Sequence, residues 1–245
     1  MRPVNRGNPP RAYGRYEDAK PDLVSKIGGY CSYCERPIYT LLAVEHVLPK
    51  GLRQYALLET VWENFLLACV NCNSAKGDQD SDRSKHLWPD DHNTYLAFFY
   101  DGHIHKVRAG LHPAIEQRAR DTHNMVQLNR NAPDTWSLAN EKEGAIERWQ
   151  QRKAAQRKAQ EALLDYQRQL TLTASLSPTL QQEILEITAR RIASDAQSAG
   201  HFTLWMDVFG GHPLIRAKIV SEFTGTNPDC FDLMGNSKPH PTGAI

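Results

Sequence analysis

Two Cys-x-x-Cys pairs, Cys31-Ser-Tyr-Cys34 and Cys69-Val-Asn-Cys72, constrain this chain more than anything else in it. Thiolates bind zinc tetrahedrally at about 2.3 Å, and a two-residue gap forms a turn that offers both sulfurs to one metal. Two such pairs close the coordination shell. Cys31, Cys34, Cys69 and Cys72 are therefore expected to hold a structural Zn2+ with no open position. The 34 residues between Cys34 and Cys69 exceed the spacing of a simple zinc ribbon and leave room for a small functional unit. A pair of disulfides is the other reading. The opening residues carry no secretory leader pattern, and a cytoplasmic chain keeps its thiols reduced, so zinc is preferred. Cys230 stands apart and is expected to be a free thiol without a role.

Between the pairs lies Val44-Glu45-His46-Val47-Leu48-Pro49. The apolar run Leu41-Leu42-Ala43-Val44 predicts a strand that ends at Glu45-His46, with Pro49 and Gly51 turning it into a loop. Neighbouring strand residues face opposite ways, but a twist at a strand end can bring both toward one site. A carboxylate can hold a hard divalent cation through oxygen. A neutral imidazole can take a proton from water near neutral pH. Asn73 follows the second pair at the expected start of a short helix, where its amide oxygen could complete a metal shell. Lys76, one turn on, could meet a phosphate. Each residue has a plainer reading. Glu beside His is often a surface ion pair, Asn before a helix is usually a cap, and Asn64 alone is turn chemistry.

The order of these residues against the two knuckles resembles the HNH nuclease family, over roughly residues 28 to 80. The match is carried by Cys31/Cys34, Glu45-His46 with Pro49, Asn64, and Cys72-Asn73-Ser74-Ala75-Lys76-Gly77. The resemblance implies a ββα-metal unit that hydrolyses nucleic-acid phosphodiesters. It makes His46 the general base, Glu45 and Asn73 ligands of a catalytic Mg2+ (or Mn2+), and Asn64 the residue that orients the histidine or braces its loop. One such site cuts one strand, so nicks are the default product. DNA is the favoured substrate. RNA, for example tRNA, stays open, as does a zinc-knuckle module that binds nucleic acid or protein without cutting.

The stretches Met1-Arg2-Pro3-Val4, Gly28–Arg36 and Val44–Lys50 also look like PtuB-type HNH proteins. Those act with a PtuA-type ATPase partner in Septu and some retron anti-phage defence modules. The likeness implies a prokaryotic, cytoplasmic effector restrained by a partner.

Charged residues make up 23% and hydrophobic ones 40%, and no apolar stretch approaches the ~20 residues that span a bilayer. No membrane role is expected. The net charge of +1 announces no polyanionic partner, but basic residues cluster. Arg2 and Arg6 head an arginine-rich opening that could contact phosphates. Arg148, Arg152, Lys153, Arg157 and Lys158 form a second run, either a phosphate contact or the solvated face of a helix.

The expected fold class is α+β, mainly α: a zinc-stapled ββα-metal unit embedded in a helical protein. Residues 1–110 are read as an N-terminal arm and the metal unit, and 111–245 as a helical region for docking a partner or substrate. Helices are expected near 18–27, from Pro113 to Leu128, from Ser137 to Leu170, and from Ser177-Pro178 to Ala199, while the stretch 53–61 is richer in helix formers and is expected to pack across the metal unit. Two short ones follow at 202–209 and 213–223. The portion from 150 to 160 should project into solvent or meet a partner. Asp101-Gly102 signals a hairpin turn, placing His103 and His105 on one plain strand face. His86 and His92 are assigned to a loop. Residues from about 226 are read as a loose tail.

Overall fold

The computed structural model describes residues 1–79, 81–130, 132–133, 148–243 and 245. Helix α1 (Lys20–Ile27) follows a 3₁₀ turn at Tyr16–Ala19 and delivers the first knuckle. Strand β1 (Ala43–His46) then pairs antiparallel with β2 (Phe65–Ala68), with Val44 opposite Leu67 and His46 opposite Phe65. Helix α2 (Val70–Lys76) completes a ββα unit. The reason for β2 is plain in its sequence. Phe65-Leu66-Leu67-Ala68 is apolar at every position and buried at every position, as a strand covered on both faces must be.

A second hairpin joins β3 (Phe98–Asp101) to β4 (Ile104–Val107). Helix α3 (Pro113–Met125) packs on β4. The remainder is helical: α4 (Arg148–Thr173), α5 (Pro178–Ala199), α6 (Phe202–Val208) and α7 (Pro213–Glu222). Ser177 caps α5 by accepting from the Leu180 N–H, with Pro178 at its first position. Gly200 ends α5 at φ +69°, and a Cβ there would stand 2.5 Å from Pro37 and 2.7 Å from the Glu35 carbonyl. That close approach seats the end of α5 against the first knuckle.

Two apolar cores result. One gathers the ββα unit with α1, α3 and Trp88; the other gathers α4–α7 with Tyr95 and Tyr100 from the second hairpin. No helix among the described residues is long and apolar enough to cross a membrane.

Several sequence expectations are corrected. The strand starts at Ala43, because Leu41 takes φ +57° and is 78% exposed. Residues 53–58 form a 3₁₀ helix with no buried residue. Gly102-His103 is the hairpin loop, so His103 leaves the strand, while His105 stays in it fully buried. The chain from 226 is not loose. Thr226 bridges Val4, Phe231 bridges Ser237, and the Asn93 N–H donates to the Ile245 carbonyl. The start of the helix expected at Ser137 lies outside the described residues. From its described start, Arg148 and Arg152 point inward and are buried, which removes them from any solvated or phosphate-binding face.

Candidate metal staple and cleft

The four knuckle cysteines are brought to one point. Ser32 donates its N–H to Leu67, which anchors the first knuckle to β2. Cys69 caps α2, its sulfur accepting from the Cys72 N–H. All four sulfurs are buried and lie within 4.8 Å of one another, and no disulfide joins them. Cys34 and Cys69 sulfurs are 3.8 Å apart, and two sulfurs on one tetrahedral zinc stand about 3.8 Å apart. Hydrogen bonds from Cys31, Cys34 and Cys72 hold the Cys69 thiol far below the usual thiol range, while burial pushes Cys31 and Cys72 up. The donor set, closed shell and spacing all fit Zn2+.

His46 ends β1 with its ring edge-on to Tyr16 and Phe65, at 4.9 and 5.3 Å. Its Nε2 lies 2.9 Å from the Glu59 carbonyl oxygen. A carbonyl only accepts, so Nε2 carries the hydrogen and Nδ1 keeps the lone pair. Burial lowers the pKa of the ring, with the Glu59 carbonyl pulling back and the Lys50 and Lys76 charges lowering it further. Near neutral pH the ring is a neutral base.

Asn64 grips the loop beyond His46. Its amide nitrogen donates to the Leu48 carbonyl at 2.9 Å, and its oxygen accepts from the Leu48 N–H at 2.8 Å. It is buried beneath the loop, and no hydrogen bond links it to the imidazole among the described residues.

Glu45, His46 and Asn73 line one cleft of about 260 Å³, together with Tyr16, Lys50 and Lys76. The Asn73 side chain carries no hydrogen bond among the described residues and is half-buried. Glu45 is already engaged. The Lys76 ammonium is 2.8 Å from its carboxylate, and the Tyr33 hydroxyl donates at 3.4 Å. Burial raises the Glu45 pKa, with Lys76 pulling it down. Lys76 also donates to the His46 carbonyl at 2.7 Å and is 1% exposed. It braces the site from inside and does not present its charge to a substrate, contrary to expectation.

The phosphate roles expected of Arg2 and Arg6 are also corrected. Arg2 is buried, donating to the Ile27, Phe223 and Thr224 carbonyls and the Thr226 hydroxyl. Arg6 donates to the Phe65 and Glu63 carbonyls and pairs with Asp90 at 2.8 Å. Both stitch the fold.

Lys50 lines the same cleft. Its ammonium sits 3.9 Å above the Tyr16 ring and 2.7 Å from the Glu59 carboxylate, and the side chain is 36% exposed. Its only sequence signal is its place directly after Pro49.

A divalent cation in the cleft would find side-chain oxygens on Glu45, Asn73 and Asp78. Among the described residues no group of three or more His, Cys, Asp or Glu ligands converges except the four cysteines. Mg2+ commonly binds through one or two carboxylates and keeps its waters, so this lining suits a weak, open site.

Residues 31–79 match the family model described as HNH endonuclease. No curated protein and no solved structure matches the chain. The match spans the two knuckles and everything between them, and it supports a nuclease unit of HNH type.

Proposed function

We propose that the chain hydrolyses phosphodiester bonds of a nucleic acid, with His46 as the general base. The observation that carries this reading is the Nε2–Glu59 contact. It leaves Nδ1 as the basic nitrogen of a buried ring that lines the cleft. Nδ1 takes the proton from an attacking water, and the Glu59 carbonyl steadies the imidazolium that forms. Lys50 meets a phosphate oxygen at the mouth. Glu45 and Asn73 would hold Mg2+ or Mn2+, with Lys76 orienting the carboxylate. When bound, the metal supplies a Lewis acid for the charge that builds on the phosphate and the leaving oxygen. Asn64 keeps the Val47–Pro49 loop in place.

DNA is the substrate favoured, with a nick as the first product. The likeness of residues 28–36 and 44–50 to PtuB-type proteins supports a role as the effector of an anti-phage module with an ATPase partner. The helical region offers that partner its surface. A non-cutting knuckle module fits less well, because such a module has no use for Glu45, His46 and Asn73 at one cleft.

Supercoiled plasmid and total RNA, each incubated with the purified chain in Mg2+, Mn2+ or chelator, test the proposal. Metal-dependent nicking of plasmid is expected. Loss of RNA alone would move the substrate to RNA, and loss of neither, with the ATPase partner absent or present, would overturn the enzyme reading.

A further inference from the structure

The start of α4 carries an unusual burden: Arg148 and Arg152 are 3% and 1% exposed. No carboxylate lies within ion-pair distance of either among the described residues. Arg148 donates through Nη1 to the Cys72 sulfur at 3.0 Å and to the Val126 carbonyl at 2.9 Å, and through Nη2 to the Gln127 carbonyl. Arg152 donates to the His103 carbonyl at 2.7 Å, the Leu128 carbonyl at 2.9 Å and the Asn129 amide oxygen at 3.3 Å. These oxygens satisfy the N–H groups but carry no formal charge. An uncompensated buried guanidinium is costly.

The compensating charge is on the cysteines. Cys72, Cys34 and Cys69 act on Arg148, and Cys34 and Cys72 on Arg152. Tyr100 also faces Arg152, but burial drives its phenol well above the usual range, so it stays neutral. Four thiolates around one Zn2+ carry −4 + 2 = −2. The two buried guanidiniums carry the opposite sign. Arg36 adds a further cation, held at the surface by Asn71.

We infer that Arg148 is an outer residue of the metal site, and that zinc loading and docking of α4 onto the ββα unit are one coupled event. The staple then does more than fix the nuclease unit. Its net charge draws the helical region onto it, and losing the metal to a chelator releases α4. This rests on the zinc reading of the four cysteines and is independent of the chemistry of His46.

The test uses the zinc-loaded full chain. Release of zinc to a chromogenic chelator is timed for wild type, Arg148→Met and Arg148→Lys. Hydrogen exchange of residues 148–159 is followed in wild type as zinc is withdrawn. Loss of such an outer contact typically costs ten- to a hundredfold in metal affinity. Arg148→Met should release zinc roughly tenfold faster or more. Arg148→Lys, which keeps the charge but not the forked donors, should fall between. Coupling is reciprocal, so exchange at 148–159 should rise before exchange at 213–222. If Arg148→Met does not fold, Arg148→Lys carries the same reading alone. A chain purified without zinc, unchanged release in both variants, or exchange in α4 that rises no earlier than in α7 would overturn the coupling.

Discussion

Lys76 places its ammonium 2.8 Å from the Glu45 carboxylate, and both side chains are sealed from solvent. The carboxylate that would hold a catalytic cation already owns one from its own chain. This pair ties α2 to β1 beneath the cleft, and the second Lys76 contact, to the His46 carbonyl, fixes the strand end from which the imidazole projects.

Removing one partner of a buried ion pair strands the other charge, at a cost of about 3–5 kcal/mol. Lys76→Met should therefore lower the thermal midpoint sharply. The double variant Glu45→Gln/Lys76→Met should recover much of the loss. Calorimetry on the three proteins checks this, and a Lys76→Met protein as stable as wild type would show that the pair is solvated in solution.

Lys50 is assigned the phosphate contact. With the cleavage-silent His46→Ala protein as background, Lys50→Met should weaken binding of a short DNA duplex. It should also reduce the slope of log affinity against log salt by about 1. Fluorescence anisotropy across a salt series measures both, and an unchanged slope would remove Lys50 from the interface.

The imidazole is useful only when neutral. Burial shifts its pKa downward, so the neutral form predominates at pH 7. It falls only as pH drops through a value below the ordinary one of about 6.5. The acid limb of kcat/KM should have its midpoint below 6.5. Lys50→Met removes a nearby positive charge and should move that midpoint upward. A wild-type limb centred above 6.5 would contradict the protonation state assigned to His46.

Asn64→Ala would leave the Leu48 N–H and carbonyl unpaired in the interior, each at a cost of about 1–3 kcal/mol. A drop in Tm of several degrees is expected, with a fall in activity at unchanged zinc content. Asn64→Asp can still accept from the Leu48 N–H and should lose less stability. Equal loss in the two variants would mean that the donor arm carries the whole effect.

The ββα unit was legible because its signals are local. Cys-x-x-Cys makes its own turn, Phe65–Ala68 declares a doubly covered strand, and Glu45-His46 and Asn73 reach one cleft because β1 and α2 flank the staple. The cations were misread for the opposite reason. A charged side chain is spent on whatever long-range partner the fold supplies. Arg2 finds its carbonyls at Phe223 and Thr224, Arg148 finds Cys72, and Lys76 finds Glu45. None of these distances in sequence has a local signature. The packed segment after 226 was missed likewise, since its anchors, Val4 and Asn93, lie at the far end of the chain.

The central claim is that His46 is the base of a metal-assisted phosphodiesterase, and single-turnover cleavage by His46→Ala tests it most directly. The variant should keep its zinc and its melting temperature while plasmid nicking in Mg2+ or Mn2+ falls by at least about a hundredfold. Nicking at the wild-type rate by a folded, zinc-loaded His46→Ala protein would contradict it.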